Sequence, residues 1–379
     1  MREDRIIPIR PTSAPLPTAP LLRPQGLAHG QVHNPAHATQ ALRDRLGRPL
    51  TDLRISVTDR CNFRCGYCMP RAVYGPGHRF LPQPDLLSFE EITRTARLFV
   101  SLGVTKLRIT GGEPLMRRDL PELIRQLAAL RTPDDERPEL AMTTNGALLA
   151  PHAQALHDAG LQRVTVSLDA LAPATFRAMS DSDIAVERVL EGIATAQAVG
   201  LAPVKVNMVV QKGLNDDQIL PMVEHFRGTG IELRFIEFMD VGHTNGWNLD
   251  KVLPSQAVQD LIARHHPLRE LPAERPEDTA RRVALSDGSG TVGFVSSVTQ
   301  AFCGDCSRLR LSTDGKLYTC LFASQGHDLR SLLRDATPDA DILARLAALW
   351  GARSDRYSAL RHANTPSVAS RVEMSYIGG

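Results

Sequence analysis

Residues 57–70 read V-T-D-R-C-N-F-R-C-G-Y-C-M-P and place Cys61, Cys65 and Cys68, three of the chain's six cysteines, within eight residues. Thiolates at C-x3-C-x2-C spacing can converge on one small soft-metal centre, for which an iron-sulfur cluster and zinc are the two candidates. Three cysteines leave one position of either centre open, and the open position is where chemistry can happen. With zinc, a histidine such as His78 would close it. Just upstream, Leu53, Ile55 and Val57 alternate with Asp52, Arg54, Ser56 and Thr58. The cysteine loop therefore leaves the end of a β-strand, and the fold turns on what that strand belongs to.

Working outward, the strand is the first of six, expected at residues 53–58, 106–110, 140–144, 163–168, 204–210 and 231–238. Helical stretches separate them, which predicts a parallel sheet of βα units. Six units are too few for a closed eight-stranded barrel and suit an open, partial one. Helix boundaries are well marked: Ser88 with Glu91 and Asp119 with Glu122 predict capping boxes, and Gly160 and Gly200 stand where C-terminal caps belong.

Parallel strands covered by helices usually read as continuous apolar runs, because both faces are buried. Here they alternate, so the apolar face meets the helices and the polar face lines the barrel interior. Burying Arg54, Lys106, Arg108, Lys205 and Arg234 there without partners would be prohibitively costly. A large, polar, anionic ligand is the economical explanation, with one or two of these cations paired to carboxylates such as Asp52 or Glu232. The C-terminal ends of the strands, where ligands sit in such folds, carry Gly111-Gly112-Glu113-Pro114, Thr143-Thr144-Asn145-Gly146, Ser167-Leu168-Asp169 and Glu237-Phe238-Met239.

A second trio, Cys303, Cys306 and Cys320, is spaced C-x2-C-x13-C in a segment that reads as β-rich. Strands are expected at 291–299, 309–312 and 316–320, the last two joined by a turn at 313–315. Zinc completed by His327 is one reading of this trio and a second cluster with an open iron is the other. Arg308 and Arg310 follow at once and would crowd a closed structural site. Two residues apart on a strand, they share a face, a placement suited to a phosphate chain.

Composition bounds the rest. The chain has 379 residues, 42% apolar and 23% charged, with a net charge of +2, so bulk electrostatics give no reason to expect a nucleic-acid partner. It has neither a membrane-length apolar run nor a secretory leader, which leads us to expect a cytoplasmic protein with reduced thiols. Residues 1–47 carry seven prolines and read as a disordered or loosely attached extension. The barrel is expected over 48–265 and a smaller domain over 266–379.

The three-cysteine loop, with Tyr67 before its last cysteine, resembles the signature of the radical S-adenosylmethionine (SAM) superfamily. That resemblance implies a 4Fe-4S cluster on Cys61, Cys65 and Cys68 whose open iron holds the amino and carboxylate groups of SAM. It also implies that the element containing Gly112 and Glu113 bonds the SAM amino group, that Ser167 contacts SAM, and that Met239 and Tyr67 flank the adenine. Two cysteine trios in one chain, with G-G-E-P, R-F-I-E-F-M-D at 234–240 and M-S-Y-I-G-G at 374–379, are similar to the GTP 3′,8-cyclase family over about residues 46–379.

The family resemblance implies a partial (βα)6 barrel, a smaller β-rich domain with a second 4Fe-4S cluster, and a radical cyclisation of GTP that opens molybdenum-cofactor biosynthesis. Guanine would meet the second open iron. Arg54, Lys106, Arg108, Thr143, Lys205, Arg234, Arg308 and Arg310 would hold ribose and triphosphate, and Gly378 and Gly379 would enter the site. A low-potential electron donor, a homodimer and hand-off of the product to cyclic pyranopterin monophosphate synthase are implied as well. Two departures from the family pattern are the proline-rich extension and the Ala202-Pro203 pair ahead of the fifth strand. The rival readings are a peptide-modifying radical SAM enzyme with an auxiliary cluster, and a non-catalytic zinc or electron-transfer protein.

Overall fold

The computed structural model describes residues 18–21, 42–361 and 371–378. Most of the proline-rich stretch and Gly379 lie outside the described residues. Within that stretch β1 (Thr18–Pro20) pairs in parallel with a strand from the far end of the chain, Gly326–Asp328, so residues 18–20 are part of the sheet.

The six expected strands form within one or two residues of their predicted ends. They are β2 (Asp52–Ser56), β3 (Lys106–Thr110), β4 (Glu139–Thr144), β5 (Arg163–Ser167), β6 (Lys205–Val210) and β7 (Glu232–Glu237), each parallel to the next. The connecting helices are α1 (Phe89–Ser101), α2 (Leu120–Ala128), α3 (Leu149–Asp158), the pair α4 (Pro173–Ser180) and α5 (Val186–Ala198), α6 (Ile219–Phe226) and, after β7, α7 (Ser255–Ala263). Ser88 and Glu91 make the expected capping box, each side chain accepting from the other's backbone N–H. The box expected from Asp119 and Glu122 does not form. Asp119 sits in the left-handed region at φ 58° and its side chain caps nothing, while Glu122 pairs with Arg125 one turn on.

The C-terminal segment supplies β8 (Leu268–Leu271), β9 (Arg281–Leu285), β10 (Thr291–Val295), β11 (Arg308–Leu311), β12 (Lys316–Tyr318) and β13 (Gly326–Asp328). These strands extend the barrel sheet on both sides: β10 pairs in parallel with β7, and β11 in parallel with β2. The result is one 13-stranded sheet, ordered β1-β13-β12-β11-β2-β3-β4-β5-β6-β7-β10-β9-β8, open between β1 and β8. β11 and β12 form the expected hairpin around residues 313–315.

The alternation seen in the sequence sorts the two faces. Leu53, Ile55, Leu107, Ile109, Val164, Val166 and Val206 are fully buried in the core beneath the helices. Each such side chain contributes about 1.5–3 kcal/mol when removed from water. Their polar alternates point the other way. Register then brings Arg310 opposite Arg54 and Arg54 opposite Arg108, a row of three guanidinium groups on adjacent strands about 4.8 Å apart.

Candidate active site

A cavity of about 310 Å³ lies at the C-terminal ends of the parallel strands, and all six cysteines line it. The first trio stands on the loop after β2, where Cys68 N–H donates to the Cys65 carbonyl at 2.9 Å and curls the chain so that the sulfurs face inward. Gly111 and Gly112 press against the base of this loop. A Cβ at 112 would stand 2.4 Å from the Arg60 carbonyl oxygen, so only glycine lets the two turns touch.

Around the first trio the donors are neutral. The Phe63 N–H lies 3.4 Å from Cys61 Sγ and Asn145 Nδ2 lies 3.8 Å from it. Burial pushes the Cys61 thiol up to about 12, with the Glu113 carboxylate adding to the rise, and burial raises Cys65 and Cys68 as well. Arg64, which bonds the Cys61 carbonyl, offsets only part of that rise, and thiols buried this way become thiolates when a metal centre supplies the compensating charge, so the donor set fits a cluster. His78, the candidate fourth ligand of a zinc site, packs its ring between Tyr74 and Phe80. Among the described residues no three Cys, His, Asp or Glu side chains gather closely enough for one metal ion, and the corners of a polynuclear cluster take thiolates that stand further apart.

Tyr67, Gly112, Ser167 and Met239, the residues that the resemblance implies for SAM, line the cavity. Glu113 does not. Its carboxylate is fully buried behind the turn and accepts from Leu115 N–H at 3.0 Å, Thr144 Oγ1 at 2.8 Å and Asn145 N–H at 2.8 Å. It braces the glycine turn against the end of β4, leaving the turn's backbone to face a ligand. Burial pushes Glu113 up to about 7 in spite of those three donors. Sequence reasoning gave Asp169 no role, yet it lines the cavity and accepts from the Tyr67 hydroxyl at 2.8 Å and from Val209 N–H at 2.8 Å. The signal was present in its position two residues after Ser167, on the same face of a polar strand end.

Of the expected substrate residues, Arg54, Arg108, Thr143, Arg234, Arg308 and Arg310 line the cavity. Burial first, and then the Arg310 and Arg308 guanidinium groups, hold Arg54 well below the usual arginine range. The Nε atoms of Arg54 and Arg108 are buried with no partner. Lys106 and Lys205 lie deeper and are already paired: Lys106 with Glu139 at 3.6 Å and Asp52 at 4.0 Å, Lys205 with Glu232 at 3.2 Å. Lys205 lines a second, wider cavity of about 860 Å³ with Glu139, Arg163 and Glu232, from the opposite ends of the strands. Met374 and Ser375 line the first cavity, and the Gly378 carbonyl accepts from Arg310 Nη1.

The second trio has charged neighbours. Arg308 Nη2 lies 3.6 Å and Arg353 Nη2 3.3 Å from Cys306 Sγ. Burial alone would raise the Cys306 thiol, but Arg308 and Arg353 outweigh it and bring it down to about 6. Burial pushes Cys320 up to about 11. Arg353 has no local sequence signal, since it stands on the C-terminal side of the helix Asp339–Gly351, far along the chain from its sulfur partner. Arg48 and Asp44, which hold it, come from the first described residues of the continuous chain.

The family model for the radical SAM superfamily matches residues 55–226, and that for Molybdenum Cofactor Synthesis C matches 231–359. A GTP 3′,8-cyclase of Acidothermus cellulolyticus is 50% identical over 365 residues, covering 90% of this chain and 100% of that protein. A GTP 3′,8-cyclase of Xanthomonas axonopodis pv. citri is 53% identical over 341 residues, with 90% and 100% covered. The crystal structure of Streptococcus suis SuiB bound to S-adenosylmethionine shares the fold at a TM-score of 0.54 and 13% identity, over 86% of this chain and 77% of that one. Among the described residues no helix is long and apolar enough to cross a membrane. Full-length coverage at half identity, with a matching radical SAM region, shows that the chain belongs to the GTP 3′,8-cyclase family.

Proposed function

We propose that this chain converts GTP to (8S)-3′,8-cyclo-7,8-dihydroguanosine 5′-triphosphate, the first step of molybdenum-cofactor biosynthesis, in the cavity that both cysteine trios share. The observation that carries the reading is that one cavity brings together six cysteines and five arginines, two of them with buried, unpartnered Nε atoms. Arg234 pairs with Glu232, but the other four guanidinium groups repel one another and need an anion among them, and a triphosphate supplies several charges and planar acceptor sets.

Cys61, Cys65 and Cys68 hold the 4Fe-4S cluster, and Tyr67, Ser167, Met239 and the backbone of the glycine turn hold SAM. When bound, these supply the radical that removes the C3′ hydrogen of GTP. Cys303, Cys306 and Cys320 would hold a second cluster, which would bind the guanine end of GTP. Arg54, Arg108, Arg234, Arg308 and Arg310, with Thr143, fix the ribose and triphosphate so that C3′ faces SAM and C8 lies within reach of C3′. Lys106 and Lys205 support this set from the barrel floor through their carboxylate partners. The chain's contribution is placement and exclusion of water.

The test is to incubate the anaerobically reconstituted protein with SAM, a strong reductant and GTP deuterated at C3′, and to analyse the products by mass spectrometry. Label in 5′-deoxyadenosine together with a new isomer of GTP is expected. Unlabelled 5′-deoxyadenosine without the isomer would sink the substrate assignment.

A further inference from the structure

Arg353 reaches Cys306 from the protein side of the second trio. Its guanidinium is not part of the cavity wall, unlike that of Arg308. It donates to Cys306 Sγ at 3.3 Å, to the Cys306 carbonyl at 2.8 Å and to the Thr319 carbonyl at 3.0 Å, so one planar group ties the C-x2-C turn to the residue before Cys320. Its orientation is fixed twice more. Its carbon Cζ lies 4.5 Å from the centre of the buried Trp350 ring, and its Nη1 donates to Asp44 Oδ2 at 3.1 Å.

Asp44 in turn accepts from Arg48 Nε at 2.6 Å, and Arg48 Nη1 donates to the Cys303 carbonyl at 2.7 Å. Side-chain exposure is 1% for Arg48, 1% for Arg353 and 0% for Asp44. Two buried guanidinium groups thus share one buried carboxylate beside the trio, with Arg308 adding a third cation from the cavity and Asp355, 3.6 Å from Arg353, a carboxylate from the half-exposed rim. A buried excess of positive charge is costly unless a negative group completes it. The nearest sulfur group is the trio itself.

We infer that Arg353, held in place by Asp44 and Arg48, is a positioning residue that raises the reduction potential of the second iron-sulfur cluster through its charged hydrogen bond to Cys306 Sγ. This rests on the proposed reading that Cys303, Cys306 and Cys320 hold such a cluster. One-electron reduction, with the electron taken from an external low-potential reductant, adds one negative charge to the iron, sulfide and thiolate unit. Hydrogen bonds to ligating sulfur and nearby net charge are the protein's means of stabilising that added charge. In the first trio Cys61 Sγ takes a backbone N–H and a neutral amide instead, and among the described residues no charged side chain hydrogen-bonds it.

The test is a redox titration followed by electron paramagnetic resonance on the anaerobically reconstituted full chain, with iron content measured for each variant. In Arg353→Gln the second cluster is expected to show a roughly tenfold smaller ratio of reduced to oxidised form at fixed ambient potential, equivalent to about 59 mV for one electron. Arg353→Lys, which keeps the charge, should recover part of that shift. Asp44→Asn, which leaves the guanidinium charge uncompensated, should move the potential the opposite way. The first cluster should stay put in all three.

A merely structural role would lower second-cluster occupancy without opposed shifts, so Asp44→Asn moving in the same direction as Arg353→Gln, or neither variant moving, overturns the inference. If the wild-type chain holds iron for one cluster only, and Cys61→Ala removes all of it, the cluster reading itself fails. Iron content separates that failure from an unshifted potential in a fully loaded protein.

Discussion

The two cysteine trios face the same cavity but are built in opposite ways. The first is local: its three cysteines, the glycine turn behind them and the neutral Asn145 amide lie at the ends of β2, β3 and β4, and its thiols are raised by burial. The second is assembled from a distance. Its Cys306 is lowered to about 6 because Arg308, from the next strand, and Arg353, from beyond a helix, outweigh its burial. A ligand set can be written in a few consecutive residues, but the charge around it is fixed by the fold.

The sharpest way to break this comparison is to delete one cysteine from each trio. Cys61→Ala is expected to abolish SAM cleavage altogether, whereas Cys303→Ala should keep the first cluster and its reductive chemistry and lose the cyclised product. Measuring 5′-deoxyadenosine and the GTP isomer side by side decides it, and a Cys303→Ala enzyme that cyclises at the normal rate would make the second trio a bystander.

Next in size are the arginines of the cross-strand row. Arg54→Ala and Arg310→Ala should each weaken GTP binding about 10- to 100-fold, the worth of one charged hydrogen bond at about 1.5–3 kcal/mol, and leave SAM affinity unchanged. Equilibrium dialysis with both ligands would show whether the row serves the second trio's side of the cavity alone. Gly378→Ala tests the neighbouring segment. A Cβ there would stand 2.2 Å from Thr110 Cγ2, on a residue at φ +72°. Left-handed backbone costs a non-glycine residue about 1–2 kcal/mol, so cyclisation should fall roughly tenfold with both clusters intact. Full activity would remove the Gly378 carbonyl from the site.

Titration distinguishes the cavity's arginines from the floor. Burial, and then Arg108, bring Lys106 down to about 8, while Arg310, brought down to about 10 by burial and then by Arg308, keeps its charge well above that. The Lys106 ammonium is the form lost as pH rises. GTP affinity should therefore decline above about pH 8, by up to about tenfold per pH unit, and Lys106→Met should abolish the dependence. An affinity that stays flat through that range would detach Lys106 from substrate binding.

What the sequence made legible follows the same division. Period-two alternation placed the six strands and their polar faces, because the residues that satisfy a strand's two environments are its own neighbours. Both cysteine trios were legible for the same reason. The sharing of one sheet by β10, β11 and the barrel was not, since nothing in residues 291–311 names β7 or β2 as a partner. Nor was the split among the cations. Arg54 and Lys106 both stand on the polar faces of adjacent strands, but Arg54 lies opposite Arg108, whereas Lys106 lies two residues lower, opposite Asp52 and Glu139, and pairs with both. The Asp119 box failed because a left-handed residue cannot aim its side chain at the third helical N–H, and the motif does not encode φ.

The smallest effect is expected where the first trio most nearly imitates the second. Asn145 Nδ2 stands toward Cys61 Sγ as Arg353 stands toward Cys306, but it is neutral, lies at 3.8 Å, and gives its better hydrogen bond, at 2.7 Å, to Asn62 Oδ1. Charge-assisted hydrogen bonds are about twice as strong as neutral ones, and a neutral donor adds no net charge to the site. Asn145→Ala should therefore change the ratio of reduced to oxidised form of the first cluster only about two- to threefold at fixed potential, well under the roughly tenfold expected for Arg353→Gln. The same redox titration measures both. If the two shifts were equal, net charge would not be what distinguishes the trios, and the explanation would have to rest on solvent exposure or on the geometry of the sulfur hydrogen bonds instead.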